Sequence, residues 1–225
     1  MSLWGGKILF RVLTRALLRH SVAGMAKEVG KGKRVRLFVA LDLPAAVRAG
    51  IGAWGERELV DPALRRSHEE SLHVTFAFLG NRDEEEVEPA AAAVGACGDA
   101  AAPLVELLDP VQKPPRGRPK VFALPAVSPG AEQIQAEVSE RLVEAGLYKA
   151  EKRPFWPHVT VARVRTEGRR PAAVERVPGP LPEALRKPFY GVRLALYRSE
   201  LKPTGARYAP LAQYELPGAG GSEVI

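Results

Sequence analysis

One tripeptide occurs twice, and it constrains this chain more than any other feature. His73-Val74-Thr75 and His158-Val159-Thr160 lie 85 residues apart. The 225-residue chain holds only four histidines and five threonines, and two of each fall in these copies. Each copy sits in a run that reads as a strand, Leu72 to Leu79 and Phe155 to Val164. Side chains alternate across a strand, so residues two apart share a face. On the first, His73 and Thr75 share a face with Ala77 and Leu79, and Leu72, Val74, Phe76 and Phe78 form an apolar face for the core. On the second, His158 and Thr160 share a face with Ala162.

The surroundings repeat as well. A strand, a helix and a His-Val-Thr strand occupy roughly residues 37–79, and the same order recurs over roughly 121–161. The first strand, Leu37 to Leu43, is closed by Pro44, and a helical pattern covers 45–60. Later segments read as a helix over 83–97, a strand over 104–109, a helix over 131–145 ending at Gly146, and closing strands over 189–199 and 206–216. Gly80-Asn81 reads as the end of the first His-Val-Thr strand. The order predicts an α+β fold. Two pseudo-symmetric lobes each bring an antiparallel sheet to a central cleft, with helices outside.

The residue types suit paired acid–base chemistry, and a cyclic phosphodiester is one substrate that needs it. Opening a cyclic phosphodiester needs a base to activate water and an acid to protonate the departing ribose oxygen. Histidine titrates near neutral pH and can do either. Each such group typically contributes about 10²–10⁴-fold in rate. Two hydroxyls, Thr75 and Thr160, can meet the charge that grows on the non-bridging oxygens. One His and one Thr from each lobe make a fourfold clamp. The two strand histidines and one distant cysteine, Cys97, do not supply a tetrahedral zinc set, so neither metal nor cofactor is expected. That lone cysteine also forms no intrachain disulfide.

The net charge of +7 invites a nucleic-acid reading, but its location matters more. Residues 1–34 carry eight Lys/Arg and one acid, which accounts for all of it. Lys7, Arg11, Arg15 and Arg19 recur every four residues, so 1–34 reads as a basic amphipathic extension and linker. A mitochondrial transit peptide, a membrane-surface helix and an extension ahead of a later start at Met25 all fit it. The body, 35–216, is neutral but polarised: residues 35–110 carry a net −8 and residues 111–225 a net +8. Residues 217–225 read as a flexible tail. No apolar run is long enough to span a bilayer, so no stable membrane insertion is expected. The expectation is a cytoplasmic monomer, or a mitochondrial one if the extension is a transit peptide.

These motifs resemble the 2H phosphoesterases, and most of all their RNA 2′,3′-cyclic phosphodiesterase branch, also called 2′-5′ RNA ligases. The resemblance covers roughly 35–216. It rests on Arg36 to Leu41, Leu72 to Gly80, Pro157 to Arg163, and the closing segments Tyr197 to Leu201 and Gly205 to Tyr208. It implies RNA ends or nucleoside 2′,3′-cyclic phosphates as substrate and a 2′-phosphate as product. It implies His158 as the base on water and His73 as the acid at the 3′-oxygen. The same histidines would serve 2′-5′ ligation, a non-catalytic RNA-end module, or a small cyclic phosphate such as ADP-ribose 1″,2″-cyclic phosphate. Arg163 matches a family arginine that contacts ligand. Strict alternation puts it opposite His158, so the strand must bulge for it to reach the site; otherwise it is a surface charge. Phe38 would stack on a nucleobase or belong to the core. Lys113, Arg116, Arg118 and Lys120 form a basic loop that would steer RNA or stay solvated.

Overall fold

The computed structural model describes residues 33–202 and 205–219. The readings of residues 1–32 and 220–225 lie outside them. Chain order begins with β1 (Arg34–Asp42), α1 (Ala45–Glu58), β2 (Leu64–Arg66), β3 (His73–Asp83) and α2 (Val87–Gly95). It continues with β4 (Leu104–Leu107), β5 (Val111–Lys113), β6 (Val121–Val127), α3 (Pro129–Glu144) and β7 (His158–Val164). A small hairpin, β8 (Thr166–Glu167) and β9 (Arg170–Pro171), precedes α4 (Glu183–Arg186) and β10 (Phe189–Tyr190). Two long strands close the fold, β11 (Arg193–Lys202) and β12 (Gly205–Glu215).

The expected α+β class and internal repeat are both present. One half-sheet runs β3-β1-β11-β12 and the other runs β7-β6-β4-β10, with β2 beside β7 and β5 beside β6. All pairings are antiparallel. The His-Val-Thr strands β3 and β7 form the seam, joined by the pair Val74 and Val159. The half-sheets are therefore stitched into one ten-stranded sheet rather than standing apart.

The helices follow their sequence cues. Ser128 caps α3: its hydroxyl accepts from the Ala131 amide at 3.2 Å, and Pro129 opens the first turn. Ala131, Ile134, Val138 and Leu142 recur at helical spacing and are buried. Gly146, at φ 71°, ends that helix in a left-handed conformation that glycine adopts without cost. In α1, Ile51 and Trp54 are buried, and the indole N–H donates to the Pro180 carbonyl at 3.1 Å.

Three boundaries differ from expectation. Arg34 already belongs to β1, so the linker ends one residue earlier. β3 does not stop at Gly80-Asn81. Gly80 takes φ 74° inside the strand, and the ladder with β1 continues to Asp83. Pro217 is held by the Ala102 amide at 2.8 Å, so the tail does not begin there.

Candidate active site

The seam defines the site. Val74 and Val159 face the core, 1% and 0% exposed. Their neighbours His73, Thr75, His158 and Thr160 are half-buried on the other side. Continuing the antiparallel register outward from Val74 and Val159 sets His73 beside Thr160 and Thr75 beside His158. The four form a square with the histidines on one diagonal. They line a cleft of about 100 Å³ with Ser67, Ser71, Phe78, Arg163 and Tyr208. No hydrogen bond engages either threonine hydroxyl among the described residues.

Both strands then bulge at the same offset. In β3, Thr75 pairs with Ala40 and Ala77 with Val39, which leaves Phe76 as the extra residue. In β7, Thr160 pairs with Ala123 and Ala162 with Phe122, which leaves Val161 extra. A bulge inserts one residue and reverses the alternation beyond it. Ala77 and Ala162 therefore turn into the core, 2% and 0% exposed. Strict alternation had put both on the histidine face. Leu79 likewise lies buried, at 6%. Phe78, expected in the core, is 54% exposed and lines the cleft. Arg163 reaches the cleft by the bulge its role required.

The two histidines sit in unlike surroundings. His73 stacks on Phe38 at 5.0 Å between ring centroids and meets the edge of Tyr208 at 5.4 Å. Burial, reinforced by the nearby His158 charge, pushes its pKa down to about 4. His158 stacks on Trp156 at 4.0 Å. Its Nδ1 lies 2.8 Å from the Trp156 carbonyl oxygen, which can only accept, so Nδ1 carries the proton and Nε2 keeps its lone pair. Lys113 Nζ sits 4.2 Å over the Trp156 ring. Burial lowers the His158 pKa. The Trp156 carbonyl opposes this, and the Lys113 and Arg163 charges add to it.

Phe38 is not a platform for a base. It is 1% exposed, with Phe78, Tyr197 and Tyr208 around it besides His73. Its place is under the imidazole. Tyr197 donates to buried Asp42 at 2.9 Å, and the same carboxylate accepts from Arg193 Nε at 2.7 Å. Burial and that carboxylate raise the Tyr197 pKa. The network fixes the aromatic bed from below. Of the basic loop, only Lys113 reaches the site; Arg118 donates to the Pro171 carbonyl instead.

Sequence reasoning missed Ser67, Ser71, Phe78, Tyr208 and Trp156. The Ser67 amide and hydroxyl donate to the Val161 and Thr160 carbonyls, both at 2.8 Å, which ties its loop to β7. Trp156 did carry a signal, because it lies two residues before His158, and Tyr208 belongs to the closing segment Gly205 to Tyr208 on which the resemblance rests. A larger cavity, about 850 Å³ between α1 and residues 59–69, contains none of the four clamp residues. Size does not mark the site here; convergent chemistry does.

Comparison with known proteins decides the family. Residues 43–203 match the model of the 2′-5′ RNA ligase superfamily. The chain belongs to the 2′-5′ RNA ligase superfamily. An RNA 2′,3′-cyclic phosphodiesterase of Thermus thermophilus is 34% identical over 195 residues, covering 84% of this chain and 94% of that one. The Escherichia coli protein of the same name is 28% identical over 181 residues, covering 80% and 96%. Among solved structures, one from Thermus thermophilus superposes with TM-score 0.67 at 28% identity, covering 80% of this chain and 97% of that one. Escherichia coli LigT bound to 3′-AMP gives 0.65 at 26%, covering 82% and 99%. The two solved structures share the α+β fold of this superfamily member. Among the described residues, no helix of this superfamily member is long and apolar enough to cross a membrane.

Proposed function

We propose that this chain hydrolyses 2′,3′-cyclic phosphate ends of RNA to 2′-phosphomonoesters. His158 Nε2 takes a proton from water as its oxygen attacks phosphorus. The bond from phosphorus to the 3′-oxygen breaks, and His73 gives that oxygen a proton. A 3′-hydroxyl and a 2′-phosphate remain, and proton exchange with solvent resets the pair. Thr75 and Thr160 hold the non-bridging oxygens, and Arg163 balances their charge. The single observation that carries this reading is the seam, where two His-Val-Thr strands meet antiparallel and in register at one small cleft. The pinned tautomer of His158 supports it as the base. The names of the relatives support the substrate class. One chain supplies the whole clamp, which supports action as a monomer.

The low pKa of His73 needs an account, because a group titrating near 4 is neutral at pH 7. The cyclic diester carries a negative charge. Bound in the cleft, that charge favours the imidazolium and raises the pKa of His73. The substrate thus helps to charge its own acid. The same site would support the reverse ligation, a second reading that the superfamily's name favours.

Hydrolysis of a nucleoside 2′,3′-cyclic phosphate in excess EDTA tests the reading. Turnover to the 2′-monoester is expected. No turnover, or turnover abolished by the chelator, would overturn it.

A further inference from the structure

The catalytic cleft opens into a second cavity of about 380 Å³, within the range of ordinary ligand sites. Ser67, Ser71, Phe78, Arg163 and Tyr208 line both, so the two are continuous. Arg36, Arg65 and Arg66 line only the larger cavity's side of this junction. Arg36 lies two residues from Phe38 on β1, which gives the two the same strand face. Arg65 on β2 pairs directly with Arg163 on β7. Like charges directly opposite destabilise a sheet, yet no carboxylate among the described residues relieves them. Seven other described arginines pair with an acid within 4 Å and nine do not, so the distinctive feature is that four unpaired ones gather in a single groove. Cations left unpaired together, in one groove running from the active site, are arranged for an anion that comes and goes.

We infer that this groove holds the backbone phosphates of an RNA strand, upstream of the terminal nucleotide whose cyclic phosphate lies at the histidines. The inference rests on the proposed hydrolase reading for the terminal group. Chemistry gives the direction. A 2′,3′-cyclic phosphate closes the chain on its 3′ side, so every further phosphate lies on the 5′ side. Arg36, Arg65 and Arg66 are specificity residues for chain length and take no part in bond breaking. The substrate class is therefore an oligoribonucleotide end, with the mononucleotide as a poorer substrate.

The test compares kcat/KM for a nucleoside 2′,3′-cyclic phosphate with that for a short RNA ending in the same cyclic nucleotide. The wild type favours the RNA. In the Arg36→Gln/Arg65→Gln/Arg66→Gln variant that preference falls by roughly tenfold, in line with three exposed ion pairs. The log–log salt dependence of RNA use becomes shallower by about 0.7 for each phosphate that is no longer neutralised. A preference that survives the triple substitution, or a wild type without one, overturns the inference. If the triple variant melts well below the wild type, Arg36→Gln alone, on a separate strand from the other two, carries the comparison. If the wild type turns over neither substrate, the hydrolase reading fails on its own. The groove is then judged by anisotropy with a fluorescent RNA ending in a 2′-phosphate. Weaker binding by the variant supports it, and equal binding overturns it.

Discussion

β3 and β7 begin as copies and end as different tools. Both place His and Thr on the cleft side, both bulge at the next inward residue, and both turn an alanine into the core. The bulge then delivers opposite residues to the cleft, Phe78 from one strand and Arg163 from the other. The histidines diverge too. His73 is bedded among Phe38, Tyr197 and Tyr208, and the charge that acts on it is that of His158. His158 is pinned through Nδ1 to a backbone carbonyl. Duplication supplies a symmetric grip on a tetrahedral group. Divergence in the surrounding residues splits the acid from the base. Twofold geometry and unequal chemistry are thus separate layers of the same site.

The sharpest way to break the comparison is to remove one histidine at a time. His73→Ala and His158→Ala should each lower kcat by about 10²–10⁴-fold, and the double variant should lose far less than the product of the two. Undiminished turnover in either would end the catalytic assignment. Next come the threonines, where the copies should behave alike. Thr75→Val and Thr160→Val should each cost about 10²-fold in kcat, at the lower end of known oxyanion donors. A large loss in one and none in the other would show that only one half grips the phosphate.

The residues after the bulges should behave differently. Arg163→Ala should cost about tenfold or more in kcat/KM, as loss of a charged hydrogen bond does, and Phe78→Leu only a few-fold. Equal losses would remove the functional asymmetry. The smallest effect concerns pH. Both histidine pKa values lie below the ordinary value, with His73 near 4. The free enzyme's pair should therefore give a bell-shaped kcat/KM whose limbs both fall below about 6.5. kcat/KM should decline as pH rises through neutrality, because both groups are then unprotonated. A flat profile from about pH 5 to 8 would count against paired acid–base work. Linkage has a sign as well: the unfolded chain binds more protons at His73 between about 4 and 6.5, so stability should rise with pH across that window.

Much of this site was legible from residue types and spacing. The duplicated tripeptide marks four residues, and simple alternation sets each threonine beside its histidine. The bulges were not legible, because a β-bulge in a run such as Thr75-Phe76-Ala77-Phe78 changes no composition. It reversed the expected faces of Ala77, Phe78 and Ala162. Gly80 was misread for a related reason. A glycine at positive φ most often marks a turn, but here the β1 ladder continues past it. β2 went unseen because Leu64-Arg65-Arg66 is short and two-thirds charged; its partner strand β7 makes it a strand. Phe38 illustrates a limit of local reasoning. Whether it faces solvent or core depends on Tyr197 and Tyr208, some 160 residues away in sequence.

The central claim is that equal strands do unequal jobs, with His158 as base and His73 as acid. A cyclic substrate with sulfur in place of the bridging 3′-oxygen tests it most directly. A thiolate leaves without prior protonation, since thiols ionise near pH 8.5 and an alkoxide is a far poorer leaving group. On this substrate His73→Ala should recover most of the wild-type rate, while His158→Ala should stay impaired. Equal impairment of both variants, or recovery by His158→Ala instead, would contradict the assignment.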